Sequence, residues 1–127
     1  MEIIRYHSQL KVYQKSVAVS MEIFRLTKNF PKEETYSLSD QIRQSSRSVS
    51  ASIAEAFKRR IYLKSFCSKL NESEAEAAET QSWLHYALAC QYLKDDEHKK
   101  MDETYSEIIS MLVKMQQYPQ KWSIQKP

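Results

Sequence analysis

Not one glycine occurs among the 127 residues of this chain. Turns that need a positive φ are normally given to glycine, which has no Cβ to clash. The phosphate-cradling loops of P-loop and dinucleotide-binding proteins are built on such turns, so both classes are excluded. Hairpin-rich β folds are disfavoured too, because their primed turns favour glycine. Only Pro31, Pro119 and Pro127 interrupt the chain, which leaves residues 32–118 free to be helical almost throughout. The length suits one domain, 1–127, with a single core and no staples. The predicted class is all-α, an antiparallel up-down four-helix bundle.

The central stretch is 37–60. At helical spacing Leu38, Ile42, Ser45, Val49, Ile53 and Phe57 fall on one stripe, with Ser52 and Ala56 beside it. Half of that stripe is small, and small side chains let a neighbouring helix axis come close. This second helix, about 37–59, is therefore expected to be the most tightly packed. Ser37 followed by Asp40 resembles a capping box at its start.

The first helix is expected over about 8–29, with Ser8 as its cap and Pro31 stopping it at Phe30. It carries two apolar stripes side by side: Leu10, Tyr13, Val17, Met21 and Phe24, then Val12, Val19, Ile23 and Leu26. Two stripes imply two neighbours, either inside one bundle or across a subunit boundary. A third helix, about 62–92, follows a short turn and so runs antiparallel to the second. Its inner face is read as Leu63, Phe66, Leu70, Ala77, Leu84, Leu88 and Gln91, with Cys67 and Trp83 at the edges. Glu74 falls where an apolar residue is expected, so it either projects beyond the bundle or meets a cation. The fourth helix, about 96–118, buries Met101, Tyr105, Ile108, Ile109, Leu112, Met115 and Tyr118. A tail, 119–127, holds Trp122 and Ile124, to fold back or reach a neighbour.

The net charge of +3 is unevenly spread. Residues 40–69 carry a local excess of five positive charges and residues 70–79 an excess of four negative ones. Such a division suits an anionic partner or self-association through complementary patches. The candidate nucleic-acid-binding set is Arg43, Arg47, Lys58, Arg59, Arg60 and Lys64, with Glu55 and Arg59 as an i, i+4 pair on the same flank. Tyr36 and Tyr62 are read as stacking faces at the same end. The reading set against this one is an ordinary solvated helix end.

Chemistry is harder to find. Glu72, Glu74, Glu76 and Glu79 are spaced so that neighbours face different ways, and no Glu-x-x-His pairing accompanies them. His85, Cys67 and Cys90 lack zinc-ligand spacing. The serines of the second helix have neither a nearby histidine nor a glycine elbow. No catalytic residue, metal or cofactor is assigned. Cys67 and Cys90 would stand roughly 35 Å apart on one helix, too far to pair, and two reduced, mostly buried thiols suit a reducing compartment. No apolar run approaches the ~20 residues of a membrane span, and Met1–His7 lacks a signal-peptide core, so the expected location is cytoplasmic.

Four segments together resemble a known family: Leu10–Lys15, Phe30–Arg43, Ser48–Phe57 and Glu76–Leu84. They are similar to the bacterial four-helix-bundle proteins first described as the 23S rRNA intervening-sequence protein, over about residues 8–118. The resemblance implies an up-down bundle assembled as a homopentamer, with no established enzymatic activity. A relative in that fold, the accessory variability determinant of diversity-generating retroelements, is a basic pentamer that binds nucleic acid and a reverse transcriptase. The family's basic residues fall on Arg43, Arg59 and Arg60, with Lys58 beside them. This chain departs where the usual glycine is Ala56 and where apolar residues near 72–74 are Glu72, Ser73 and Glu74. The implied function is a non-catalytic, oligomeric nucleic-acid-binding or scaffold protein, with RNA favoured on family grounds and DNA left open. The alternative is a protein-interaction adaptor that docks a reverse transcriptase or other basic partner on Glu72–Glu79.

Overall fold

The computed structural model describes residues 3–124, so Met1, Glu2 and the stretch 125–127, including Pro127, lie outside the described residues. Four helices make up the body: α1 (Lys11–Thr27), α2 (Leu38–Lys58), α3 (Leu63–Ala89) and α4 (Asp95–Gln117). No strand occurs among the described residues. Each helix packs against the next and α4 returns to α1, around one shared core. Neighbours run antiparallel throughout. Ser16 faces Ser50 while Ser20 faces Ser46, Ser45 meets Thr80 while Val49 meets Ser73, and Glu74 meets Gln116 while Gln81 meets Asp102. This is the up-down bundle the sequence predicts.

The core follows a repeat of alternating three- and four-residue steps. On α3 the buried residues are Phe66, Leu70, Ser73, Ala77, Thr80, Leu84 and Ala87; on α4 they are Met101, Tyr105, Ile108, Leu112 and Met115. Such spacing is the geometry of shallow left-handed packing between long helices. The whole predicted stripe of α2 is buried, and Ser39, Ser46 and Ser50 are buried with it. α2 therefore has two small-residue faces. One meets α1 through Ser16–Ser50 (2.8 Å) and Ser20–Ser46 (3.0 Å). The other meets α3, where Thr80 donates to Ser45 Oγ at 2.8 Å and Ser73 donates to the Val49 carbonyl at 2.9 Å. The hydroxyls satisfy one another, so backbones approach closely without leaving polar groups unpaired.

Several boundaries and placements differ from expectation. Residues His7–Gln9 form a 3-10 turn and Leu10, not Ser8, stands at the cap of α1. Ser8 gives its carbonyl to Gln14 Nε2 instead. Ser37 does precede α2, but its hydroxyl donates to Glu34 Oε1 at 2.6 Å, so no capping box forms. α3 stops at Ala89, because Gln91 adopts φ 65° and reverses the chain. Gln91 is accordingly exposed, Leu63 and Leu88 are half-buried, and Ser73, Thr80 and Ala87 take core positions in the observed register. Glu74 does not project freely and among the described residues meets no cation: it accepts a hydrogen bond from the Gln116 amide of α4. Cys67 is half-buried and Cys90 exposed, so the thiols are less buried than predicted, and both are free.

On α4, Ile109 is half-buried and Tyr118 exposed. The Tyr105 hydroxyl is buried with no hydrogen-bond partner among the described residues, and burial pushes its pKa up. Of the two stripes on α1, Val12, Val19 and Ile23 enter the core, joined by Ser16, Ser20 and Thr27. The other divides: Leu10 is buried and Tyr13 packs against the core, whereas Val17 and Met21 face outward, 37% and 45% exposed. After α4, Pro119–Trp122 forms a short turn that folds Trp122 back against the core, while Ile124 remains exposed.

Candidate nucleic-acid interface

Arg43 and Arg47 lie one turn apart on the side of α2 that meets α1. Between them α1 places Phe24, whose ring collects three cations. Lys28 Nζ and Arg43 Cζ are each 4.8 Å from its centroid, and Arg47 Cζ is 5.6 Å away. Arg43 Nε is fixed further by donating to Thr27 Oγ1 at 2.8 Å. Among the described residues no carboxylate comes within ion-pair distance of any of the three. The ring's negative face offsets only part of their mutual repulsion, so a site with this charge favours an anion beside it.

The remaining candidates gather where α2 passes into α3. Lys58 and Lys64 are exposed and unpaired among the described residues. Arg59 reaches forward, donating from Nη1 to Ser65 Oγ at 3.3 Å. Arg60 turns back instead. Its Nε donates to the Phe57 carbonyl at 2.7 Å and its guanidinium lies 3.5 Å from the centroid of the Phe57 ring. The arginine thus closes the end of α2, and partial burial lowers its pKa while leaving it charged at neutral pH.

The predicted Glu55–Arg59 pair does not form. Lys69 takes Glu55 at 2.9 Å and Glu72 at 2.7 Å, bridging α2 and α3. The hydrogen bonds to Glu72 and then Glu55 raise the Lys69 pKa, and Lys69 in turn lowers that of Glu55.

The six candidate residues therefore form two groups rather than one. From Arg47 to Arg59 the helix rises about 18 Å. Tyr36 and Tyr62 do not share an end either: they precede and follow α2, 92% and 61% exposed. Expecting them together overlooked the length of the helix between them. Sequence reasoning also missed Lys28 and Phe24. The i, i+4 spacing of that pair is visible in the chain, but its meeting with Arg43 and Arg47 depends on how α1 lies across α2.

The acidic stretch of α3 is mostly engaged. Glu72 is tied to Lys69, Glu74 to Gln116, and Glu79 accepts from Trp83 Nε1 at 3.2 Å. Glu76 is half-buried, and burial, followed by the charges of Glu79 and Glu72, raises its pKa. Among the described residues no group of three or more His, Cys, Asp or Glu side chains could hold a metal ion, and no helix is long and apolar enough to cross a membrane.

Fold and site together define a four-helix bundle whose second helix joins two basic groups. The chain belongs to the 23S rRNA-intervening sequence protein family, which matches residues 8–114. It is also similar to the crystal structure, at 1.70 Å resolution, of a protein with unknown function from the S23 ribosomal protein family of Bacteroides thetaiotaomicron VPI-5482. That similarity has a TM-score of 0.75 at 28% identity, covering 84% of this chain and 95% of the other. No curated protein matches the chain.

Proposed function

We propose that this protein is a non-catalytic, oligomeric, cytoplasmic RNA-binding or scaffold protein that holds phosphates through Arg43, Arg47, Lys58, Arg59, Arg60 and Lys64, with Lys28 added. The observation that carries the reading is the cluster of Lys28, Arg43 and Arg47 around Phe24 with no carboxylate partner. Uncompensated cations held by stacking and a hydrogen bond form a ready anion site, and phosphate contacts add steeply when several lie along one strand. The family name favours RNA over DNA. The outward stripe of Val17 and Met21 is the face proposed to meet a second copy, in the homopentamer that family resemblance implies. Assembly would repeat the basic groups around one ring. The adaptor reading, with a reverse transcriptase or other basic protein on α3, is less favoured because Glu72, Glu74 and Glu79 already have partners.

The test is a mobility-shift titration with a structured RNA at low salt. Arg43→Glu with Arg47→Glu, and separately Lys58→Glu with Arg59→Glu, are each expected to weaken binding at least tenfold while helicity is kept. Arg60 is left alone because it caps α2. Wild-type affinity in both variants would refute the reading.

A further inference from the structure

A second site lies at the opposite end of α1 from Phe24. The leader, the start of α1 and the end of α4 with its returning turn enclose a pocket of about 520 Å³. That falls in the range of small-molecule sites, roughly 300–1,000 Å³. Its apolar lining comes from Ile4, Leu10, Val12, Met111, Met115 and Trp122. Lys11, Lys114 and Lys121 border the same pocket, all three exposed, and among the described residues no carboxylate lines it. Lys121 Nζ lies 5.1 Å from the centroid of the Tyr118 ring, and among the described residues none of the three lysines joins an ion pair.

We propose that this pocket binds a free single-chain amphiphile with an anionic head, of the fatty-acid class. The tail enters between α1 and α4, and the carboxylate stays at the lysine rim. Charge complementarity selects the head, since among the described residues the charged groups at the rim are all cationic. The lining selects the tail. Two methionines give an apolar wall that adapts to a flexible chain. Apart from the lysines, the side chains in the lining that can hydrogen-bond are Gln9, Tyr118 and Trp122, and the Gln9 Oε1 already accepts the Arg5 and Tyr6 backbone N–H groups at 2.7 and 3.0 Å. A nucleobase buried there would leave several edge groups unpaired, which costs binding. None of the residues proposed to hold RNA lines this pocket, so the two readings stand or fall separately.

The chain has two tryptophans. Trp83→Phe makes Trp122 the sole reporter of the pocket. Titrating that protein with sodium dodecanoate below its critical micelle concentration is expected to give a saturable change in Trp122 emission. Dodecanol, which keeps the tail without the charge, should bind roughly tenfold or more weakly. Adding Lys114→Glu and Lys121→Glu should weaken dodecanoate by a similar factor, with helicity and RNA affinity kept. Met111→Phe narrows the pocket from its wall without adding a second indole and should weaken the response. The proposal is overturned if dodecanoate gives no saturable change, or if the lysine variant binds it unchanged. It is also overturned if a short single-stranded RNA displaces it stoichiometrically, or if Trp122 responds only to anionic vesicles.

Discussion

Gln91 shows what a chain without glycine does where a glycine is wanted. Helix α3 ends in a Schellman turn: the Tyr92 N–H bonds to the Ala87 carbonyl and the Gln91 N–H to the Leu88 carbonyl, both at 2.9 Å. That motif puts its reversing residue in the left-handed region, and here the residue is Gln91 at φ 65°. For a residue with a Cβ the conformation costs roughly 1–2 kcal/mol. Gln91→Gly is expected to raise stability by about 1 kcal/mol after the larger chain entropy of glycine is subtracted. A rise in thermal midpoint of a few degrees would check it, and a fall would show that the Gln91 side chain contributes more than its backbone costs.

Beside that turn, Glu34 joins two elements: it accepts from Ser37 Oγ at 2.6 Å and from Tyr92 Oη at 2.9 Å. Ser37 first and Tyr92 second hold its carboxyl below the usual range, and the bond to Glu34 pushes Tyr92 up to about 12. The signs differ by group. The Glu34 contribution is present above the ordinary carboxylate pKa and is lost as pH falls through its lowered value. The Tyr92 contribution is present below the ordinary value of 10.0 and is lost as pH rises toward about 12. In an ultraviolet tyrosinate titration Glu34→Gln should bring Tyr92 back toward 10.0, and an unchanged curve would dissociate the pair.

Among the elements, α2 was the most legible and also the most incomplete in its reading. Its apolar stripe, from Leu38 to Phe57, is wholly buried as the periodicity requires. The second face was not legible, because Ser39, Ser46 and Ser50 count as polar in any hydrophobic pattern. Ser46 and Ser50 are buried because α1 supplies Ser20 and Ser16 at matching height. The register of α3 went astray for the same reason: Ser73 and Thr80 hold core positions, while Glu74 sits one residue off and takes the Gln116 amide. The cap at Ser37 was not legible because its hydroxyl, which could accept from a backbone N–H of α2, donates to Glu34 instead.

The serine seam can be tested by mutation. Ser46→Ala leaves the Ser20 hydroxyl buried without its partner and should cost about 1–3 kcal/mol. Ser20→Ala with Ser46→Ala removes both groups and should cost clearly less than the two single changes added together. Additive losses in a denaturant melt would mean the hydroxyls act independently. Ser46→Leu should cost about 1–3 kcal/mol through overpacking alone, since nothing at that height can move aside without parting the helices.

For the whole molecule, the bundle's connectivity was readable from two prolines and four apolar stripes, whereas the layout of its charge was not. A helix about 30 Å long carries its two ends to opposite poles, so residues grouped in the sequence as one basic block became two patches. That separation gives the proposed RNA interface a quantitative signature. If Lys28, Arg43, Arg47, Lys58, Arg59, Arg60 and Lys64 each meet one phosphate, the logarithm of affinity should fall against that of salt with a slope of about −5 on single strands and about −6 on a duplex, for one protomer. Reversing Arg43 and Arg47 removes two contacts, so the slope should flatten by roughly 1.4–1.8. The proposed ring makes a further demand. Val17→Glu with Met21→Glu places charge on the outward stripe of α1 and should lower the sedimenting mass without lowering helicity. In that dissociated form both the affinity and the slope should fall to the single-protomer values. An unchanged slope would place RNA on one protomer only and make assembly irrelevant to binding. A slope near zero in the intact protein would remove phosphate contact as the mechanism altogether.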